Sequence, residues 1–465
     1  MRITIIGAGF SGVALARALK QAAPATTTVY LVGIDGSYGR GVAYGEARPE
    51  HLLNVRARDL GLAPEAPGDF ADWFSLGERG RQGFLPRQLY GDYLRDRLQG
   101  LLDGDGVRVH EVRREVVAID RRDHALHVQL DDGAAIVSDR VVLAVGALPP
   151  PTLAGVGPRL AISPRYIGWP WQEQAIDRIE RDARVLVVGT GLTMADVVAT
   201  LRHRGHRGRI DALSRHGLLP QRHHEAPLPP VELPPGVLQA LAEGDLRALL
   251  QRIRALSAVV DWRALVDALR PHTQAFWQGL PDAQRQRFLR HLRAYWEVVR
   301  HRVAPAIADQ LDELRASGQL RVQAGHLVRA SRGDTGVEVL LRDRGAAHVR
   351  HERYDVLVRA TGLNTDVART THPLLAQLRE SGVVAADRFE LGLDATDDFR
   401  VLDARRHPVP GLYCLGPLLR GSLWEITAVP ELRVAAARLA RRLVGGQGLV
   451  EEPPSVSAPA LRRHA

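Results

Sequence analysis

The chain of 465 residues is poor in several residue types, and each scarcity closes off a class of function. It has one cysteine, Cys414, which rules out an internal disulfide, a Cys-x-x-Cys redox pair and a cysteine-rich metal site. No apolar run approaches the roughly 18 residues needed to span a bilayer, so no membrane is expected. The N-terminal apolar residues run as a strand straight into a glycine loop, unlike a signal peptide. Together these features predict a cytoplasmic protein. Aromatic residues make up only 5%, and no strip of them alternates with basic groups as in a nucleic-acid surface.

Lysine is the scarcest cation. Of 62 basic residues only Lys20 is lysine, and the rest are arginine, the skew that a GC-rich genome produces. The net charge of +9 is spread along the chain and forms no basic tail. A solvated basic surface is therefore expected, without nucleic acid as partner but attractive to small anionic substrates.

Two Gly-x-Gly fingerprints are present, each after a short apolar run. In the first, Gly7, Gly9 and Gly12, with Ala8, Phe10 and Ser11 between them, follow Arg2–Ile6. In the second, Gly189, Thr190 and Gly191 follow Arg184–Val188, and Ala195 takes the third, small position. The first glycine allows the turn and the second lets backbone approach a pyrophosphate. The third small residue lets helix pack on strand. Phosphates would then meet the free N–H groups of a helix N-terminus. Two such sites in one chain predict that one dinucleotide is held tightly and electrons are taken from another.

The expected fold is α/β, with two Rossmann-like dinucleotide-binding domains, the second inserted in the first, plus a helical insertion. Residues 1–160 and 352–445 are assigned to the first domain, 161–230 and 318–351 to the second, and 231–317 to the helical block. A tail at 446–465 reads as disordered. Val107–Arg113, Glu115–Asp120 and His124–Leu130 read as a small antiparallel sheet. Val237 to Ser317 reads as almost pure helix. His223-His224-Glu225 is no metal site, since adjacent strand residues point apart. Trp262, Trp277 and Trp296 read as core of the helical block.

Several segments in combination carry a resemblance. They include the first fingerprint, Gly39-Arg40-Gly41-Val42-Ala43-Tyr44, His51-Leu52-Leu53-Asn54-Val55 and Asp69-Phe70 with Trp73. Pro86-Arg87 with Tyr90-Gly91, Ala360-Thr361-Gly362, and the closing stretch Gly416-Pro417 through Trp424-Glu425 to Arg433 complete the set. Over nearly its whole length the chain resembles bacterial FAD/NAD(P)-binding flavoproteins related to two-dinucleotide-domain monooxygenases. The resemblance implies FAD at the first fingerprint and NAD(P)H at the second. It implies phosphate or ribityl contacts for Arg40, Asn54 and Arg87, and puts Gly362 where the chain passes between domains. Gly416, Glu425 and the helix after Val429-Pro430 would face the flavin.

The pattern departs from that family in two places. The acidic residue expected for the adenine ribose falls near Gly33, leaving Asp35 as the candidate, and Gly416-Pro417 stands where relatives often have aspartate. Arg215, after the strand Arg209–Leu213, could meet a 2′-phosphate or stack on adenine, so NADH and NADPH both stay open.

Without a cysteine pair the dithiol route closes, and insertion of oxygen from O2 through a flavin hydroperoxide becomes the favoured chemistry. Within the resembling family the type favoured is a urate hydroxylase, urate being planar and anionic and its product 5-hydroxyisourate. An amine or amino-acid N-hydroxylase is the alternative. An electron-transfer reductase, a nucleotide-sensing protein without turnover and an RNA-modifying flavoprotein stay open. No catalytic acid or base is singled out.

Overall fold

The structure is a computed structural model that describes residues 1–172, 174–362 and 364–445. The predicted disordered tail lies outside the described residues. Two parallel-centred sheets dominate. The first has six strands in the order Arg400–Leu402, Pro408–Cys414, Arg140–Leu143, Arg2–Ile6, Thr28–Gly33, Arg108–Arg113. All its pairings are parallel except the one between the first two strands. Its core strands bury both faces, so they read as continuous apolar runs such as Val141 to Leu143.

The helix Phe10–Ala22 covers this sheet with Val13, Ala14, Leu15, Ala16 and Leu19, all buried. Each fully buried Val or Leu contributes about 1.5–3 kcal/mol. The helix stops at Ala23 because Pro24 cannot continue it. The C-terminal helix Val429–Val444 packs beside it.

The second sheet has seven strands in the order Arg350–Tyr354, Val337–Asp343, Leu320–Arg332, Ile210–Ser214, Val185–Val188, Val356–Arg359, Tyr166–Ile167. The helix Leu192–His203 follows Val185–Val188. Gly205, at φ +73°, closes it by letting the His206 N–H reach back to Leu201.

Four expectations need correction. Arg108–Arg113 pairs in parallel with Thr28–Gly33 and edges the first sheet, whereas the small antiparallel sheet is Val116–Arg122, Ala125–Leu130 and Ala135–Ser138. Alternation along a strand does not identify its partner. Val356–Arg359 hydrogen-bonds to Val185–Val188, so the return to the first unit comes after residue 359 and not at 352. Leu153, Val156 and Leu160 pack on the second sheet, so the outward crossing comes before 160. The helix Pro305–Ala316 is the crossover between parallel strands Ile210–Ser214 and Leu320–Arg332. Its Ile307, Ala308, Leu311 and Leu314 share a core with Leu192–His203, so it belongs to the second unit and not to the helical block.

Between Pro235 and Arg300 the remaining helices form the inserted block. Among the described residues no helix is long and apolar enough to cross a membrane.

Candidate dinucleotide cradles and the cavity between them

The two fingerprints are built alike. Gly7 has φ +115°, and a Cβ there would stand 2.2 Å from the Ala144 carbonyl oxygen. Gly189 has φ +118°, and its Cβ would stand 2.1 Å from the Ala360 oxygen. In each unit the partner carbonyl directly follows the neighbouring parallel strand. Only glycine fits at either place. The third positions also match: a Cβ on Gly12 would lie 2.0 Å from the Gly7 oxygen, and Ala195 is buried.

Gly9 and Gly191 cap the two helices without a side-chain hydrogen bond, so the first N–H groups of each remain free to bind an anion. Gly9 lies against Gly41 and Gly416 against Ser11, which brings three distant motifs onto one cradle. Ala8 packs against Gly33, whose own Cβ would meet that of Ala8 at 2.8 Å. The fold thus admits no carboxylate side chain at position 33. Asp35 lies beyond it with its side chain 74% exposed, in an ion pair with Arg113 at 3.2 Å. Phe10 is buried and stacks on Tyr90.

The other predicted site residues make the following contacts within the fold. Arg40 pairs with Asp92. Arg87 crosses to the second unit and pairs with Asp196 at 2.8 Å. The Asn54 carbonyl accepts the Nε2–H of His223 at 3.0 Å. Thr190 donates its hydroxyl to the Leu218 carbonyl at 2.6 Å. Glu425, buried at φ +73°, accepts the Trp296 indole N–H at 2.6 Å and pairs with Arg300 at 2.8 Å. Trp277 donates to the Gly421 carbonyl at 2.8 Å and stacks on Trp424. Trp277 and Trp296 therefore dock the helical block onto the closing stretch as well as filling its core, whereas Trp262 lies outside that core with the guanidiniums of Arg263 and Arg302 over its ring.

Gly362, at φ +79°, follows the return crossing. Nearby, Leu148 and Asn364 exchange backbone hydrogen bonds, so the outward and return crossings are tied to each other. At the second cradle, Arg215 is exposed just past Ile210–Ser214. Burial and then the charges of Arg344, Arg215 and His326 push the His216 imidazole below its ordinary range. That mutual influence, with the Ser214–Ala324 register and the Arg344 N–H on the Ala324 carbonyl, gathers four basic side chains at one sheet end. His326 and Arg344 escaped the sequence reading because they lie over a hundred residues from the fingerprint.

Between the units and the helical block lies a cavity of about 270 Å³. Asn54, His223, Pro430 and six arginines line it: Arg56, Arg58, Arg270, Arg300, Arg302 and Arg433. Burial, then the charges of Arg302, Arg56 and Arg300, push His223 down to about 3 against the pull of the Asn54 carbonyl. The imidazole is thus neutral near pH 7, with its proton on Nε2. A separate apolar cavity of about 240 Å³ lies within the helical block around Leu249, Phe276 and Trp296.

Residues 4–148 match a family model described as FAD-NAD(P)-binding. No curated protein matches the chain in sequence. Among solved structures, the chain is similar to an ornithine N-hydroxylase from Kutzneria sp. 744, with a TM-score of 0.64 and 18% identity. That match covers 95% of this chain and 98% of the hydroxylase. An L-lysine 6-monooxygenase from Pseudomonas syringae matches at TM-score 0.64 and 20% identity, over 95% of this chain and 98% of its own. A cadaverine monooxygenase from Erwinia amylovora, solved with FAD, matches at 0.64 and 14%, over 99% of each chain. The first unit is thus an FAD-NAD(P)-binding domain, set in a chain whose overall fold is that of these monooxygenases.

Proposed function

We propose that the chain is an FAD-dependent, NADPH-consuming monooxygenase that hydroxylates nitrogen in a small substrate. The observation that carries the reading is the pair of equivalent glycine cradles joined by the tied crossings at Leu148 and Asn364, with one polar cavity at the junction. The likeness to three N-oxygenating or amine-oxygenating enzymes supports nitrogen as the target. Urate, favoured on the resemblance alone, draws no support from these matches. The dithiol-reductase reading is disfavoured too, because Cys414 is the only cysteine and is buried, with its thiol pushed up by that burial.

Both cradles fit a dinucleotide: each has free helix N–H groups, and Gly191 has no atom within 4 Å of its would-be Cβ. FAD, bound at the first, would supply the activation of O2 after reduction by the nicotinamide. The protein does the rest. The N-terminus of Val429–Val444, with Pro430 at the cavity, offers free N–H groups and a positive helix end to negative charge. His223 holds the Asn54 loop through a neutral imidazole and donates no second proton at pH 7. Guanidinium walls disfavour an ammonium ion beside them. A bound amine is therefore held as the free base, whose lone pair can accept oxygen. Arg215, His216, His326 and Arg344 suit a 2′-phosphate, which selects NADPH over NADH.

The test is NADPH oxidation by the FAD-loaded protein under ¹⁸O2 with a panel of amines. One ¹⁸O atom in a hydroxylamine product is expected. Quantitative release of hydrogen peroxide with every amine would sink the reading.

A further inference from the structure

Charge in the cavity at the junction does not balance. Six guanidiniums line it, and four carboxylates answer them. Asp59 pairs with Arg58 at 3.5 Å, Asp267 with Arg302, Glu431 with Arg270 and Glu425 with Arg300 at 2.8 Å. Arg56 and Arg433 hydrogen-bond only to backbone carbonyls among the described residues. Arg56 uses those of Gln82, His224 at 2.6 Å and Glu225 at 3.2 Å, and Arg433 those of Asp59 at 3.0 Å and Gly61 at 3.3 Å. Neither makes an ion pair among the described residues, and Asp59, whose charge reaches both, is already paired with Arg58.

The arrangement is also under electrostatic load. Arg302 has a side chain only 6% exposed, and its Nε has no hydrogen-bond partner among the described residues. The Nε of Arg433 is likewise buried without one. Burial, opposed by Asp267, and then the neighbouring charges of Arg300 and Arg263 disfavour the charged form of Arg302. Buried like charges that repel each other call for an anion. The two dinucleotide pyrophosphates would sit at the Gly9 and Gly191 helix ends, and neither of those residues lines the cavity. The oxidised flavin ring is neutral and does not supply the anion either.

We propose that this cavity receives a ligand carrying two negative charges, met by Arg56 and Arg433, so that the substrate is a dianion bearing the nitrogen to be oxygenated. Ornithine, lysine and cadaverine, which the names of the similar structures give, carry a net positive charge instead. The identification of the ligand as substrate rests on the monooxygenase reading; the anion site itself does not.

Three five-carbon probes of different charge test it: glutarate, valerate and cadaverine, titrated into oxidised, FAD-loaded protein and read by flavin absorbance and calorimetry. Glutarate should bind about tenfold or more tighter than valerate, and cadaverine should not bind. Inorganic phosphate serves as a fourth probe. Phosphate tighter than glutarate would indicate one doubly charged group, and the reverse two separated carboxylates; either supports the site. Arg433→Gln should bring glutarate down to the level of valerate. Should that variant not fold, added salt must weaken glutarate binding to the wild-type protein more steeply than valerate binding. Cadaverine binding as tightly as glutarate, or equal salt slopes for the two acids, would overturn the proposal.

Turnover is scored separately, with L-glutamate as an amine that carries two carboxylates. Glutarate binding without oxygenation of any amine keeps the anion site and removes the monooxygenase reading. Oxygenation of amines with no response to glutarate or phosphate does the reverse.

Discussion

Arg87, at the start of the helix Arg87–Asp103, places both its terminal nitrogens on the carboxylate of Asp196 in the second fingerprint helix, at 2.8 and 3.3 Å. Their side chains are 16% and 11% exposed, so the pair bridges the two dinucleotide units out of bulk water. Arg48 with Asp177 and His51 with Thr200 span the same interface. Replacing Arg87 with methionine would strand a buried carboxylate, at a cost of about 3 kcal/mol. Denaturant unfolding should show the loss, and the double change Arg87→Met with Asp196→Leu should recover most of it. A double variant no better than the single one would remove the pair from the account of the interface.

The second glycine of each fingerprint separates binding from folding. A Cβ on Gly191 meets nothing within 4 Å, so Gly191→Val should fold normally and stay yellow but resist reduction by NADPH. Gly9→Val should give FAD-free, colourless protein by blocking approach to the pyrophosphate. Normal flavin content in Gly9→Val, or unimpaired reduction in Gly191→Val, would show the corresponding site to be misassigned.

His223 gives the stability a pH dependence of known sign. Folding holds the imidazole neutral down to about pH 3, whereas the unfolded chain takes up a proton near 6.5. Its contribution is therefore complete above about pH 6.5 and declines as pH falls toward 3. Glu431 acts in the same direction: burial pushes its pKa up, but Arg270 and then Arg300 hold it below the usual range, so its contribution is lost on acidification. The thermal midpoint should fall between pH 7 and pH 4.5, and less steeply in His223→Gln. Parallel curves for the two proteins would exclude His223 as a cause.

Trp296→Phe removes the indole donor of Glu425 while keeping the apolar surface. A charged acceptor that loses such a bond costs about 1.5–3 kcal/mol. The helical block should loosen from the closing stretch, seen as faster amide exchange from 421 to 433 with flavin content retained. Unchanged exchange there would mean that the Trp277 contacts and the Arg300–Glu425 and Arg270–Glu431 pairs dock the block without that bond.

Arg215→Ala should raise the KM for NADPH by about tenfold, with little effect on NADH. Equal effects on both would place Arg215 on the adenine face and not on a 2′-phosphate.

Local chemistry settled much of the outcome. Gly7, Gly12, Gly189 and Ala195 were legible because a strand-to-helix turn with close backbone contact tolerates only small residues, and that requirement is written in a dozen consecutive positions. The two-unit α/β plan followed from the same repeats. Pairings between distant segments were not legible. Alternation along Arg108–Arg113 fits either sheet, and an amphipathic stripe along Pro305–Ala316 fits a helical block as well as a crossover. Arg40, Arg87 and Glu425 were singled out by their motifs, yet only the fold shows that Asp92, Asp196 and Arg300 take up their charges. The cationic cavity is the clearest case. Its six arginines come from segments up to 377 positions apart, Arg56 to Arg433, in a chain where arginine is everywhere, so composition could not mark them out. A side chain's partner is fixed by distance in space, which falls off steeply for charge and hydrogen bond alike, and that distance exists only once the chain is folded.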